Sequence, residues 1–370
     1  MAPRIPIVDL AAEYAEVGDA VEAAVLRVLR SGRYVLGPET ESFERELAAL
    51  IGVRHAIGVG SGTEALQLAL EACGVRAGDE VITTPFTYFA TIEAIVRAGG
   101  RPVYVDVEPD GFNLDPAGLE AACTPHTRAI VPVHLFGRCA DMEPIRAFAE
   151  HRGLAVVEDA AQAIGAVRAG RSAGAWGTAG CFSFYPAKSL GAAGDGGCVT
   201  TDDAEIAQRL RLIRGHGLAG EKGHVAMGTT SRLDAIQAAV LRAKLPHLPR
   251  WLDERRAHVQ RYRELLAGCQ EVRLPVCGDD ETPAWSQLVV RSRRAAAIRR
   301  ALEDADVEWR HYYPRPVYRE EAFGTDVRPA GTCPEAERAC EESVSLPIYP
   351  RIPPASIERV CELIRNALSG

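Results

Sequence analysis

Between about residues 55 and 200, short apolar runs typical of β-strands alternate with segments that have helical periodicity. The apolar runs cover residues 56–59, 80–83, 102–106, 129–133 and 154–157. Plausible helices between them include residues 63–73 and 142–151. Such alternation is typical of a mainly parallel sheet with helices on both faces. The sequence therefore predicts an α/β fold.

A long helical stretch follows this region, from about residue 232 to residue 263, and we expect it to lead into a second unit. Beyond it, the pattern indicates one strand and two helices, at residues 286–290, 294–304 and 353–368. We predict a large domain over residues 1–245, including an N-terminal arm, and a smaller α+β domain over residues 246–370.

The composition is that of a soluble globular protein, because 47% of the 370 residues are hydrophobic and 25% are charged. The formal net charge of −8 gives no electrostatic reason to expect a nucleic-acid partner. Neither a secretory signal nor an apolar run of about 18 residues is apparent, so we expect a cytoplasmic protein without a membrane span. The ten cysteines form no CxxC pair, and we expect no metal site.

Lys188 stands alone in an apolar, glycine-rich stretch, and Asp159 comes directly after a predicted strand. Apolar surroundings disfavour an ammonium, so the pKa of the lysine falls and its neutral, nucleophilic amine becomes accessible for a Schiff base. A carboxylate at the sheet's carboxyl edge can keep a pyridine nitrogen protonated, which makes the ring an electron sink. Together the two groups suggest a pyridoxal phosphate site, although Asp159 alone could simply cap the next segment.

A glycine-rich run that includes Gly62 and Thr63 lies between a predicted strand and a predicted helix. Free backbone amides and the helix dipole can hold a phosphate there. Ser61 and Glu64 also match a capping box, so a capped helix without a ligand is an equal alternative. The run matches neither GxGxxG nor GxxxxGK[ST], which argues against a dinucleotide-binding oxidoreductase and a nucleoside-triphosphate loop.

Two further side chains follow predicted strands and suit the same cofactor. Tyr88 could stack on a flat ring, although an aromatic residue that fills the core is the commoner case. Ser183 could donate its hydroxyl to a phosphate, or it could bond to neighbouring backbone. The predicted phosphate site, aromatic ring, acid and lysine occur in the order 62, 88, 159 and 188. Purely structural roles explain the four features together less well than they explain any one of them.

Over almost its whole length the chain resembles the DegT-type sugar aminotransferases, which are fold type I pyridoxal phosphate enzymes. The matching segments are residues 60–66 (GSGTEAL), 78–82, 131–137, 158–163 (EDAAQA), 182–188 (FSFYPAK), 194–197, 231–234 (SRLD), 237–239 and 345–347. Some relatives carry histidine in place of the lysine and are sugar dehydratases, so Lys188 favours transamination over that alternative.

The resemblance implies a role for each matching residue. Lys188 would form the Schiff base and then act as base and acid, and Asp159 would pair with the pyridinium nitrogen. Gln162 would contact the side of the ring that carries the phenolic oxygen, and Tyr88 would stack on the ring. The expected phosphate contacts are Gly62, Thr63 and Ser183, with Thr230 from a second subunit where the family commonly has asparagine.

The family acts on nucleotide-linked ketosugars, usually with glutamate as amino donor, and its members are homodimers with shared active sites. The resemblance therefore implies that the segment 231–234 reaches the partner's cofactor. Residues 284–287 and 312–316 resemble members that act at C-3 of the sugar more than members that act at C-4, so we expect C-3, with C-4 as the alternative. Candidate substrate contacts, or else solvated surface groups, are Arg232, Arg315 and Tyr318.

Overall fold

The computed structural model describes residues 4–109, 111–323 and 332–369. Its strands are β1 (His55–Val59), β2 (Glu80–Thr83), β3 (Arg101–Tyr104), β4 (Thr127–Ile130), β5 (Ala155–Asp159), β6 (Val167–Arg168), β7 (Arg171–Ser172), β8 (Ala179–Ser183), β9 (Gly197–Thr201), β10 (Glu281–Thr282), β11 (Leu288–Arg291) and β12 (Ser343–Leu346). Its helices are α1 (Leu10–Ser31), α2 (Pro38–Ile51), α3 (Gly62–Ala72), α4 (Phe89–Arg97), α5 (Leu119–Ala122), α6 (Met142–Arg152), α7 (Ala204–Ile213), α8 (Ala235–Lys244), α9 (Leu248–Leu265), α10 (Ala295–Asp304), α11 (Pro334–Glu342) and α12 (Pro354–Ser369).

Seven strands form one sheet in the order β1-β9-β8-β5-β4-β2-β3. All neighbouring pairs from β8 to β3 are parallel, whereas β9 runs antiparallel to both β8 and β1. Strand β9 follows β8 through a short connection without a helix, so the chain returns beside β8 in the opposite direction. The predicted α/β fold with a mainly parallel sheet is confirmed.

Both faces of the sheet are covered, which explains why its strands are continuous apolar runs rather than alternating ones. Neighbouring residues on one strand enter different cores: Val81 packs with α3 and α4, and Ile82 packs with α6. On β5, Val157 lies in the same core as Val81, and Val156 lies in the same core as Ile82. The sheet is therefore the middle layer of a three-layer arrangement.

A separate core lies toward the C-terminus, where α9, α10 and α12 pack with the antiparallel pair β11–β12. The predicted long helix is divided into α8 and α9 by a 3₁₀ turn at Leu245–His247. Pro249 lies in the first turn of α9, where a proline costs no helical hydrogen bond. Ile5 forms a bridge with Val307, so the N-terminal segment packs on the C-terminal unit. The boundary between residues 245 and 246 stays a prediction.

Within residues 4–109, 111–323 and 332–369, no helix is both long and apolar enough to span a membrane. The same ranges contain no group of three or more histidine, cysteine, aspartate or glutamate side chains that could hold a metal ion.

Candidate active site

The carboxyl ends of β1, β2, β5 and β8 surround a cavity of about 480 Å³. Parallel strands place their carboxyl ends at one edge of a sheet, and the segments that follow them meet there. Seven of the predicted cofactor-binding residues line this cavity: Gly62, Thr63, Tyr88, Asp159, Gln162, Ser183 and Lys188. The structure thus brings together groups that are up to 126 residues apart in the chain.

Lys188 lies in the loop between β8 and β9, and its backbone N–H donates to the Tyr185 carbonyl at 2.8 Å. The residue is half-buried. Desolvation of the amine lowers the pKa of Lys188 from its ordinary value of 10.5, and the charge of Asp159 opposes this shift. The neutral amine is therefore more accessible here than on a free lysine, which is what carbonyl chemistry requires.

Asp159 is the last residue of β5 and is buried. Its Oδ2 accepts a hydrogen bond from the Thr91 hydroxyl at 2.8 Å, and its Oδ1 accepts one from the Ala161 amide at 3.2 Å. Burial raises the pKa of this carboxyl above 3.8, and those two bonds and Lys188 oppose the rise. The acid does cap the next segment, as the alternative held, but it also lines the cavity. A protonated ring nitrogen of the expected cofactor would donate a further hydrogen bond to this carboxylate.

Helix α3 begins at Gly62, and its first residues, Gly62 and Thr63, line the same cavity. Ser61 caps the helix, with its Oγ accepting from the Glu64 amide at 3.2 Å. A Cβ on Gly62 would lie 2.6 Å from Cβ of Ser183, so only glycine allows this close approach. The cap and the cavity coexist, and the helix N-terminus beside the Ser183 hydroxyl fits a phosphate.

Gln162 is held at both ends of its side-chain amide. Its Oε1 accepts from the Phe136 amide at 2.8 Å, and its Nε2 donates to the Tyr313 hydroxyl at 3.2 Å. The Tyr313 ring lies 6.4 Å from the rings of both Tyr88 and Phe136. Tyr88 itself is 62% exposed, so it does not fill the core and is free to cover a flat ring at the cavity mouth.

Four predicted residues lie outside this cavity. The exposed Thr230 has its hydroxyl 2.5 Å from Nε2 of His216, and Arg232 is half-buried. Arg315 is exposed and 3.8 Å from Glu320, and Tyr318 donates its hydroxyl to Glu337 at 2.9 Å. Their roles stay predictions.

Several residues that line the cavity were not among the predicted site residues. They include Thr91, Tyr185, Asp195, Gln287, Tyr312 and Tyr313. Thr91 lies one helical turn after Tyr88, and this spacing after a strand was a usable signal. Gln287, Tyr312 and Tyr313 lie in the segments 284–287 and 312–316, which resemble members acting at C-3, but only tertiary packing brings them to the sheet edge.

The fold and the cavity define a pyridoxal phosphate-dependent aminotransferase of fold type I. The chain belongs to the DegT/DnrJ/EryC1/StrS aminotransferase family, whose family model matches residues 16–365. The predicted family, enzyme class and cofactor are thereby confirmed.

Three similar proteins indicate the range of the match. The dTDP-3-amino-3,4,6-trideoxy-alpha-D-glucose transaminase of Streptomyces venezuelae is 45% identical over 364 residues, which cover 98% of this chain and 96% of that protein. The UDP-N-acetyl-3-dehydro-alpha-D-glucosamine 3-aminotransferase of Acidithiobacillus ferrooxidans is 42% identical, covering 99% and 98%. The crystal structure of S. venezuelae DesV in complex with a ketimine intermediate has a TM-score of 0.96 and 44% identity, covering 99% and 98% of the two chains.

Proposed function

We propose that this enzyme transfers an amino group from an amino acid, L-glutamate by family resemblance, to the C-3 keto group of a nucleotide-linked sugar. The observation that carries the choice of C-3 is that both curated relatives described above, similar over almost the whole chain, are named for 3-amino or 3-keto sugars. A 4-keto sugar is the alternative, and it is not favoured by these similarities.

Pyridoxal phosphate, when bound, supplies an aldehyde that condenses with amines and a protonated ring that accepts an electron pair. Lys188 is the proposed attachment point, since it lines the cavity and desolvation lowers the pKa of its amine. When not bonded to the cofactor, Nζ of Lys188 would be free to take up and release the proton that moves during transamination. The same side chain would therefore serve as anchor, base and acid.

Asp159 is the proposed partner of the ring nitrogen. The Thr91 hydroxyl fixes one carboxylate oxygen, and the Ala161 amide fixes the other. Gln162 is held by Phe136 and Tyr313 and would present its amide along the ring edge. Tyr88 would cover the ring face, and the start of α3 with Ser183 would hold the phosphate.

The charge of the cavity supports a site shared between two copies of the chain. Among the described residues that line it, Lys188 is the only lysine or arginine, whereas Asp159 and Asp195 are acidic. A cofactor phosphate and a nucleotide diphosphate together carry several negative charges and require cations or amide donors. Arg232 and Thr230 from a second copy are the proposed additional contacts.

The segment before Thr230 supports the same proposal. Met227 is 93% exposed, and Leu218 and Val225 are each 54% exposed. Apolar side chains grouped on one surface segment are typical of a protein interface. We propose that this segment packs against a second copy in a homodimer. A cytoplasmic location remains an expectation.

The function can be tested by converting the purified enzyme to its pyridoxamine phosphate form and adding nucleotide-linked 3-keto and 4-keto sugars separately. We expect the absorbance to return to that of the pyridoxal form with a 3-keto sugar. Lys188→Ala loaded with pyridoxamine phosphate is the control and should not revert. Reversion only with 4-keto sugars, or with none, would contradict the proposal.

A further inference from the structure

Glu158 is a fully buried carboxylate beside Asp159 on β5, and the proposed reaction does not use it. Successive residues of a strand point to opposite faces, so Glu158 is directed away from the cavity. Burying a charge is costly unless donors surround it. Its Oε1 accepts from the Trp176 and Gly177 amides, and its Oε2 accepts from the Gly174 amide, each at 2.7 Å.

The fourth donor to Glu158 is His134, whose Nε2 lies 2.7 Å from Oε2. The imidazole is also fully buried. Its Nδ1 accepts a hydrogen bond from the Ala140 amide at 3.0 Å, so Nδ1 carries a lone pair rather than a proton. The proton of a neutral imidazole must then be on Nε2, which donates to Glu158. Both ring nitrogens are fixed in one tautomer.

This imidazole belongs to the loop of residues 134–140, which is hydrogen-bonded to both Asp159 and Gln162. The backbone N–H of His134 donates to the Asp159 carbonyl at 3.0 Å. Two residues further on, the Phe136 amide donates to Oε1 of Gln162 at 2.8 Å. Phe136 has a φ of 58°, a left-handed conformation that a phenylalanine adopts only when its surroundings enforce it. Its amide bonds to Gln162, and the next amide, of Gly137, donates to the His134 carbonyl at 3.4 Å.

We infer that Glu158 and His134 form a positioning pair that fixes Asp159 and Gln162 against the cofactor ring. The inference rests on the proposed roles of those two residues. The pair acts from the far side of β5: Glu158 fixes the imidazole, the imidazole fixes residues 134–140, and this loop holds Gln162 in the orientation in which it reaches Tyr313.

Replacing Glu158 by glutamine tests the pair because the side chain keeps its shape while one acceptor oxygen becomes an NH₂ donor. The new NH₂ faces either Gly174 and His134 or Trp176 and Gly177, and all four are donors. A change of tautomer at His134 cannot resolve the conflict, since a proton on Nδ1 would then face the Ala140 amide. With the NH₂ toward Gly174 and His134, the loop of residues 134–140 must shift, and Gln162 must shift with it. With the NH₂ toward Trp176 and Gly177, the bond to His134 persists and the conflict falls on residues 174–177.

We expect His134→Phe to weaken pyridoxal phosphate binding by about tenfold or more, because the loop that holds Gln162 loses both hydrogen bonds of the imidazole. Glu158→Gln should weaken binding by less, since one orientation of its amide keeps the bond to His134. The pH midpoint of the cofactor's visible absorption band should also shift, because the charge distribution around the ring changes. Binding can be measured by equilibrium dialysis and the midpoint by spectrophotometric titration. Neither readout requires a sugar substrate, so failure of the proposed sugar reaction would be seen separately.

Glu80→Gln is a matched control, because Glu80 is a buried carboxylate at the opposite edge of the same sheet. It should lower thermal stability while leaving cofactor affinity and the absorption midpoint unchanged. His134→Phe is the second variant: it keeps a ring and leaves Glu158 its three amide donors, so it tests the pair even if Glu158→Gln does not fold. Wild-type affinity and midpoint in the folded His134→Phe variant would overturn the inference. A wild-type protein that bound no pyridoxal phosphate would overturn the cofactor assignment as well.

Discussion

Asp159 illustrates how a single residue can favour function at the expense of stability. Burial raises the pKa of its carboxyl above 3.8. The cofactor-free folded protein therefore binds a proton at this carboxyl more tightly than the unfolded chain does. The residue's contribution to folding stability is therefore lost as the pH rises above 3.8 through the folded pKa, and at neutral pH it is unfavourable. A protonated ring nitrogen beside the carboxylate offsets this cost by supplying a charged donor.

We therefore predict opposite effects of Asp159→Asn on stability and activity. The cofactor-free variant should unfold at the same temperature as the wild type at pH 7, or at a higher one. Added pyridoxal phosphate should raise its unfolding temperature less, and its turnover should fall by roughly three orders of magnitude because the ring loses its proton. Scanning calorimetry with and without cofactor, together with a transamination assay, checks both parts. Near-native turnover would show that another group protonates the ring.

At the scale of elements, the loop that carries Lys188 is held by a helix from the beginning of the chain. Nζ of Lys244, at the end of α8, donates to the Gly191 carbonyl at 2.8 Å. The same ammonium forms an ion pair with Glu13 of α1 at 2.6 Å, and the two side chains are only 12% and 17% exposed. Helix α1 thus contributes to the position of the loop between β8 and β9, through an interaction shielded from solvent.

We predict that Lys244→Met lowers the free energy of unfolding by about 1–3 kcal/mol, because it leaves Glu13 partly buried and unpaired. Cofactor release should also become faster, since the lysine loop loses its hydrogen bond at Gly191. Urea unfolding and the rate of cofactor loss to a scavenger measure the two effects. Arg300→Ala is a suitable control, as it removes an exposed ion pair with Asp304 on α10 and should change stability by less than about 0.5 kcal/mol. Equal effects in the two variants would contradict the prediction.

The elements also show which parts of the fold can be predicted from sequence. The predicted strand–helix alternation identified the sheet, and four of its strands lead directly to Gly62, Tyr88, Asp159 and Lys188. The reversed direction of β9 could not be predicted, because a fully buried strand has the same apolar pattern in either direction. Glu158 was predicted only as part of a motif, since its partners come from distant loops. Tyr313 reaches the cavity only through packing of the C-terminal unit.

At the scale of the whole molecule, the proposed sharing of active sites between two subunits has a quantitative consequence. In a mixed dimer of Lys188→Ala and Arg232→Ala, one site combines the intact Lys188 of one subunit with the intact Arg232 of the other. Random mixing gives mixed dimers in about half of the molecules, each with one good site of two, so about a quarter of wild-type activity should return. Each variant alone should be inactive or severely impaired.

This mixing experiment can be followed by tagging the two variants differently and purifying the mixed dimers before the assay. Purified mixed dimers should have about half of the wild-type turnover per dimer. Mixed dimers without activity would contradict shared sites. An Arg232→Ala homodimer with full activity would instead remove Arg232 from the proposed substrate contacts.

The order of the strands also constrains biosynthesis. The start of α3 follows β1 and Lys188 follows β8, two strands that are separated by β9 in the finished sheet, and Tyr313 joins them from much further along the chain. A nascent polypeptide that has only reached β8 contains the helix end suited to a phosphate, but Lys188 follows later and Tyr313 is not yet translated. A complete vitamin B6 pocket can therefore form only after most of the chain has left the ribosome, so loading with the coenzyme is a late event in maturation.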